Sequence, residues 1–186
     1  AIFERYFNGL THIENQCERC IYIIENCLYF CDTESINVYI TEELLKCHAL
    51  SKMKEEIWNK WDNVLRICNV NFNSNVGDTL ELNIQNKWKI NGFDAVIGNP
   101  PYEIRDPITG KSKGGTNLYM KFINYLFKYI KENGYLVFVT PITWISPSTN
   151  KQMGGDILHN IFLKYDLLYL NNMECKKYFK NIGSTF

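Results

Sequence analysis

Apolar positions along this chain change their period several times, and each change predicts an element. Ile13, Cys17, Cys20, Ile21 and Ile24 recur at helical spacing and predict one face of a helix over 13–26. "CLYFC" (27–31) reads as a strand ending at Asp32. Thr33 to Ser35 turn the chain, and "INVYITEELLKCHAL" reads as a helix from about 35. Residues 51–62, with Trp58 and Trp61, are predicted helical and carry the chain back. "RICNVNFN" (66–73) predicts a strand near 67–72, followed by "GDTL", and "FDAVIG" predicts the next strand near 93–97.

The segment after it, "YEIRDPITGKSKGGT" (102–116), is polar and rich in turn residues, which predicts a long loop. Apolar residues at 118, 119, 122, 123, 126, 127 and 130 then form a helical stripe, ended by Gly134. "YLVFVTP" is a strand near 135–139, terminated by Pro141. A Ser/Pro/Asn/Gly loop, a short helix at 156–163 and a strand near 166–171 follow, and "YFKNIGSTF" begins a further strand. Strands alternating with helices predict an α/β fold with a doubly wound, mostly parallel sheet in three layers.

The stretch "GFDAVIGNPPYEI" (92–104) sets an apolar run hard against two prolines and a tyrosine. Ala95, Val96 and Ile97 read as the end of a strand buried on both faces. Gly98 allows a close backbone approach, and Pro100 and Pro101 forbid continuation of sheet or helix. Asn99 and Tyr102 are thereby held on a stiff loop at the carboxyl end of a strand, the edge where open α/β sheets bind ligands. Asp32 and Glu34, and then Asp78, follow two other strands in the same way. An acid after the second strand of such a sheet can accept hydrogen bonds from a ribose; Asp32 as a helix N-terminal cap is the other reading. Asp78 in "GDT" is open to a turn role alone.

Composition narrows the classes. The 186 residues, 46% hydrophobic, suffice for one domain with a sizeable core. Lys+Arg and Asp+Glu balance at 20 each, so overall charge names no polyanionic partner, although a local basic patch stays open. No apolar run reaches the ~18 residues of a membrane span, so no membrane partner is expected. Seven cysteines at scattered positions fit reduced thiols and a cytoplasmic, intracellular protein better than a disulfide framework. "CERC" (Cys17 to Cys20) has no second C-x-x-C, and His12 and His48 lack ligand-pair spacing, so buried structural thiols are expected and no metal. "GKSKGG" (110–115) lacks the order of a phosphate-binding loop. Trp58, Trp61, Trp88 and Trp144 are expected at the core or a groove edge.

"NPPY" after "FDAVIG" resembles the catalytic motif of class I S-adenosylmethionine-dependent methyltransferases that modify amino groups, in particular DNA adenine methyltransferases of the fused restriction–modification type. The resemblance covers nearly the whole chain. "LYFCDTESINV" is similar to that family's strand with its ribose acid, which implies Asp32 with Glu34 close by. "GDTL" looks like the next motif, which implies Asp78 against the cofactor's adenine. "NLYMKFINYLFKYIKENGYLVFVTPITWI" resembles the helix–strand pair that follows, and "CKKYFKNIGSTF" the last catalytic-domain motif, with Phe179 as its phenylalanine. The resemblance implies S-adenosylmethionine as cofactor and double-stranded DNA with a flipped adenine as partner. It implies Asn99, Pro100, Pro101 and Tyr102 as the catalytic loop, with Tyr102 and Phe179 stacking on the base.

One motif of that family is absent. Its glycine-rich turn follows the first strand, whereas the only glycine here before Gly77 is Gly9, with no strand before it. The Rossmann-like methyltransferase fold is therefore expected without its first, central strand. Residues 1–186 are expected to be a partial catalytic domain, an internal fragment without the DNA-recognition domain, completed by its parent chain or by a complementing subunit. An isolated chain of that kind would be weakly stable, inactive and poor at binding the cofactor, because strand edges at 27–31 and 93–97 lose a partner. A methyltransferase acting on protein glutamine or RNA, and a noncatalytic binding module, are the alternatives.

Overall fold

The computed structural model describes residues 2–53, 60–105, 108, 112–141, 161 and 164–171, and for 103–105 and 112–117 it describes the backbone. The chain divides into two units, Ala1–Asn83 and Ile84–Phe186.

The first unit opens with α1 (Ile2–Gly9), an element the apolar pattern did not predict. Phe3 and Phe7, one turn apart, bury one face with their rings stacked at 6.5 Å. So short a helix is marginal by itself and leaves carbonyls unpaired at its end. Arg19 compensates, donating to the Phe7 carbonyl at 3.1 Å and the Ile13 carbonyl at 2.8 Å while lying 5.0 Å from the Phe7 ring centroid. Gly9 thus ends a helix and follows no strand.

Asn15 caps α2 (Gln16–Tyr22), its side-chain oxygen accepting from the Glu18 amide at 3.1 Å. The helix runs into a π turn at Ile23–Cys27. One wider turn rotates the buried face. Ile23 and Ile24 are both fully buried beside Cys17 and Cys20, whereas Ile13 and Ile21 are half-buried. These four side chains, with Phe3, Phe7, Ala49, Met53 and Ile67, make the core of the unit.

β1 (Tyr29–Asp32) pairs in parallel with β2 (Asn73–Val76), Tyr29 opposite Asn73 and Asp32 opposite Val76. Between them run α3 (Ser35–Lys52) and α4 (Trp61–Cys68). The strand expected near 67–72 is corrected: the chain is helical to Cys68, with Ile67 buried on the inner face of α4. Asn73 sets where the strand begins, its side-chain amide donating to the Glu25 carbonyl at 2.7 Å and the Leu28 carbonyl at 3.2 Å. Trp61 does not join the core, since the residue is 70% exposed. Residues 54–59, including Trp58, lie outside the described residues.

In the second unit, α5 (Ile84–Trp88) precedes β3 (Phe93–Gly98), with the Trp88 and Phe93 rings edge-to-face at 6.1 Å. β3 pairs in parallel with β6 (Ile130–Phe138), and α6 (Leu118–Leu126) and a 3₁₀ turn (Phe127–Tyr129) lead into β6. Phe93 faces Ile130, but Ala95 faces Tyr135, so residues 131–134 bulge out of the ladder. Asn133 (φ 61°) turns the chain there. The helix expected through 130 therefore stops at 126, because Ile130 already belongs to the sheet. Gly92 (φ 156°) tolerates no side chain: a Cβ would lie 2.7 Å from the Tyr129 carbonyl oxygen.

"FDAVIG" is not buried on both faces as expected. Side chains alternate across a strand. Leu136 and Phe138 pack against Tyr119, Met120 and Ile123 of α6, while Ala95, Ile97, Tyr135 and Val137 are exposed. The expected loop at 103–117 contains an antiparallel ribbon of β4 (Glu103–Arg105) and β5 (Ser112–Asn117), which gives those backbone groups partners. The strand expected near 166–171 does not form: Leu167, Leu168, Tyr169 and Leu170 are exposed, and no ladder partner lies beside them among the described residues. The expected helix at 156–163, apart from Ile161, and the end from 172 lie outside the described residues. Among the described residues, then, helices alternate with small sheets, and β1–β2 and β3–β6 are parallel pairs.

Candidate functional site

The tetrad sits where the sequence reading put it, at the carboxyl end of a parallel strand. Gly98 is the last residue of β3, and its carbonyl still accepts from the Val139 amide at 3.1 Å, so the sheet holds the chain up to the point where the loop departs. The close approach that Gly98 permits is to Phe138: a Cβ would lie 3.2 Å from that ring. Pro100 is buried, Asn99 and Pro101 are exposed, and Tyr102 is half-buried. The loop thus points its amide outward while one proline anchors it.

Tyr102 is held from three sides. Its carbonyl oxygen accepts from the Leu118 amide at 3.0 Å, which ties the loop to the start of α6. Its ring meets Tyr119 edge-to-face, with centroids 6.5 Å apart and planes at 88°. Its hydroxyl donates to the Asn99 side-chain oxygen at 2.9 Å. Tyr119 is 1% exposed and centres a cluster with Met120, Ile123 and Ile161. Tyr119 belongs to the helical stripe legible in the sequence, but its contact with the tetrad bridges residues on different elements, which spacing does not show.

In the first unit, Asp32 ends β1 and is half-buried. The N-cap position of α3 is Glu34, which makes no side-chain cap, so Asp32 is not the cap. Its Oδ1 instead accepts from the Glu34 amide at 2.8 Å and from the Asn37 side chain at 3.2 Å, an Asx turn that fixes the carboxylate. Both bonds fall on Oδ1, and Oδ2 is not engaged among the described residues. Asn37 is a supporting residue that the sequence reading missed. Glu34 is exposed. Asp78, also exposed, accepts from the Leu80 amide at 2.8 Å, the turn role open to it from the start. Gly77 donates to the Asp32 carbonyl at 2.9 Å, so the two acidic turns adjoin within this unit. Phe179 lies outside the described residues.

The "CERC" thiols are buried and donate weakly to carbonyls, Cys17 to Asn63 and Cys20 to Ala49, each at 3.7 Å. Burial raises the Cys17 thiol, and burial followed by the neighbouring Cys17 pushes Cys20 up to about 12. Thiols held neutral this way are poor metal ligands and poor nucleophiles. Among the described residues, no group of three or more His, Cys, Asp or Glu side chains is arranged to hold a metal. No described helix is long and apolar enough to cross a membrane.

A family model described as Eco57I restriction-modification methylase matches residues 26–178, a span containing Asp32, Asp78 and the whole tetrad. Modification methylase CviBIII of Paramecium bursaria Chlorella virus NC1A is 34% identical over 110 residues, which cover 53% of this chain and 29% of that protein. The matched stretch therefore covers less than a third of the length of that relative. No solved structure matches the chain significantly.

Proposed function

The chain belongs to the Eco57I restriction-modification methylase family, and on that premise we propose that it works in the transfer of a methyl group from S-adenosylmethionine to the exocyclic amino group of adenine in DNA. The observation that carries this reading is the tetrad at the end of β3, with Asn99 exposed and Tyr102 braced beside it. The architecture assigned to it is a doubly wound, mostly parallel sheet, supported by the two parallel strand pairs.

Adenine's amino nitrogen shares its lone pair with the ring and is a poor nucleophile. Two acceptors on its hydrogens favour a more pyramidal nitrogen and free that lone pair. The Asn99 side-chain oxygen and the Pro100 carbonyl are those acceptors in this reading. A neutral amide oxygen accepts without trapping a proton. The adjoining prolines make the acceptors rigid before reaction, which is where electrostatic preorganisation is most effective. Tyr102 offers a flat surface to a base turned out of the duplex, a contact worth about 1–3 kcal/mol, and Phe179 is assigned to the other face.

S-adenosylmethionine, when bound, supplies an electrophilic sulfonium methyl. Asp32 fits its ribose, because a fixed carboxylate with Oδ2 uncommitted can accept from hydroxyls. Glu34 and Asp78 are assigned to the same cofactor, Asp78 at its adenine.

The test is single-turnover transfer of labelled methyl from S-adenosylmethionine by the whole methylase. A duplex with adenine amino groups is the expected acceptor, and a duplex already methylated at every adenine should accept nothing. Label appearing on cytosine, RNA or protein glutamine while duplex adenine stays unlabelled would overturn the reading.

A further inference from the structure

We propose that the Tyr102 hydroxyl is a positioning group, which pins the Asn99 carboxamide with its oxygen in place as the acceptor for the substrate amino group. The proposal rests on the reading of Asn99 given above and deepens it. A stacking surface needs only the ring of a tyrosine. This hydroxyl is nevertheless committed, at 2.9 Å, to the very oxygen on which that reading depends.

Asn99 needs such a partner. It is exposed, and the terminal torsion of an asparagine is broad and roughly two-fold, so the amide can turn its NH₂ to where its oxygen should be. An NH₂ facing an amino group would repel it rather than accept from it. The two prolines between Asn99 and Tyr102 restrict the backbone but do nothing for the amide torsion. Tyr102 can supply that restraint because its own position is determined elsewhere. Its main chain is bonded to Leu118 at 3.0 Å, and its ring is braced by Tyr119, a buried residue. An amide oxygen has two lone pairs. The hydroxyl takes one and leaves the other for an amino hydrogen.

Tyr102→Phe keeps the ring and removes the pin. In the whole methylase, nuclear magnetic resonance relaxation of the Asn99 side-chain amide should show restricted motion with Tyr102 and free motion with Phe. In the whole methylase, Tyr102→Phe should slow single-turnover methyl transfer roughly three- to tenfold, the rate equivalent of one neutral hydrogen bond. Binding of a duplex carrying 2-aminopurine at the target position should not change, because the ring still stacks. In an Asn99→Ala background the same substitution should have no further effect. An equally restricted amide in the Phe variant would overturn the proposal. So would an unchanged rate, or an equal loss of rate in the Asn99→Ala background. A wild-type enzyme that transfers no methyl to adenine would instead overturn the function assigned above, and the amide measurement would still decide whether the hydroxyl pins Asn99.

Discussion

Asn99 and Asp32 are both polar groups at strand ends, but they are assigned to different partners and should fail differently. Asn99→Ala removes the acceptor proposed for the attacking nitrogen. The methylation rate should fall about a hundred- to a thousandfold, the ~3–4 kcal/mol typical of one preorganised contact at a reacting centre. S-adenosylmethionine affinity should stay almost unchanged. Single-turnover rates beside equilibrium cofactor binding make the comparison, and a near-normal rate would mean that the tetrad is a structural turn. Asp32→Ala should reverse the pattern, weakening cofactor binding before it slows the chemistry of the bound complex. It should also loosen the turn into α3, because Asp32 Oδ1 holds the Glu34 amide and the Asn37 side chain. Asp32→Asn, which keeps an acceptor for that turn, separates the two effects: cofactor binding should still drop while the helix start is spared.

At the scale of elements, the tetrad depends on how β3 is entered and how α6 is packed. Gly92 leads into β3 with φ 156° and no room for a Cβ beside the Tyr129 carbonyl. Gly92→Ala should therefore destabilise the protein by about 1–3 kcal/mol, as expected for a strained backbone position. Urea unfolding would register the loss, and an unchanged midpoint would contradict the close approach. Tyr119 is the brace under Tyr102. Tyr119→Ala should cost about 3–5 kcal/mol, the usual range for truncating a buried aromatic side chain. Tyr119→Phe preserves the ring and should spare most of that stability. Elements were legible where periodicity was local: α3, the start of α6, and the ends of β1 and β3 lie close to their predicted positions. Boundaries shifted where partners on other elements decided them, as Asn73 does for β2 and Ile130 for the end of α6.

For the whole molecule, composition pointed to reduced thiols, and packing decides which of them can react. Cys17 and Cys20 lie in the core of the first unit, whereas Cys47 and Cys68 are exposed. Iodoacetamide at mildly alkaline pH should label Cys47 and Cys68 readily and Cys17 and Cys20 only as the unit unfolds, which peptide mass spectrometry can resolve. The Cys20 thiol, raised to about 12 by burial, also predicts an alkaline limit. An unfolded chain loses that proton near the ordinary value of 9.0, while the folded chain keeps it. The contribution of this thiol to stability should therefore be fully present below pH 9 and be lost as pH rises from 9 towards 12. Equal labelling of Cys20 and Cys68 in the folded protein would contradict the core described here.

The sequence by itself determined the alternation of helices and strands, the stiff amide–proline–proline–tyrosine loop after a strand, and the acids after two others. Those features follow from local rules, the reach of side-chain periodicity and the fixed torsion of proline. Tertiary structure alone decided that Ile23 and Ile24 share the core through a π turn, that β3 has one covered and one open face, and that residues 112–117 pair with 103–105. It also decided that Tyr119 stands against Tyr102 and that the Tyr102 hydroxyl meets Asn99. Each of these depends on which surfaces meet across an element boundary, and the spacing of residues within one element carries no information about that meeting.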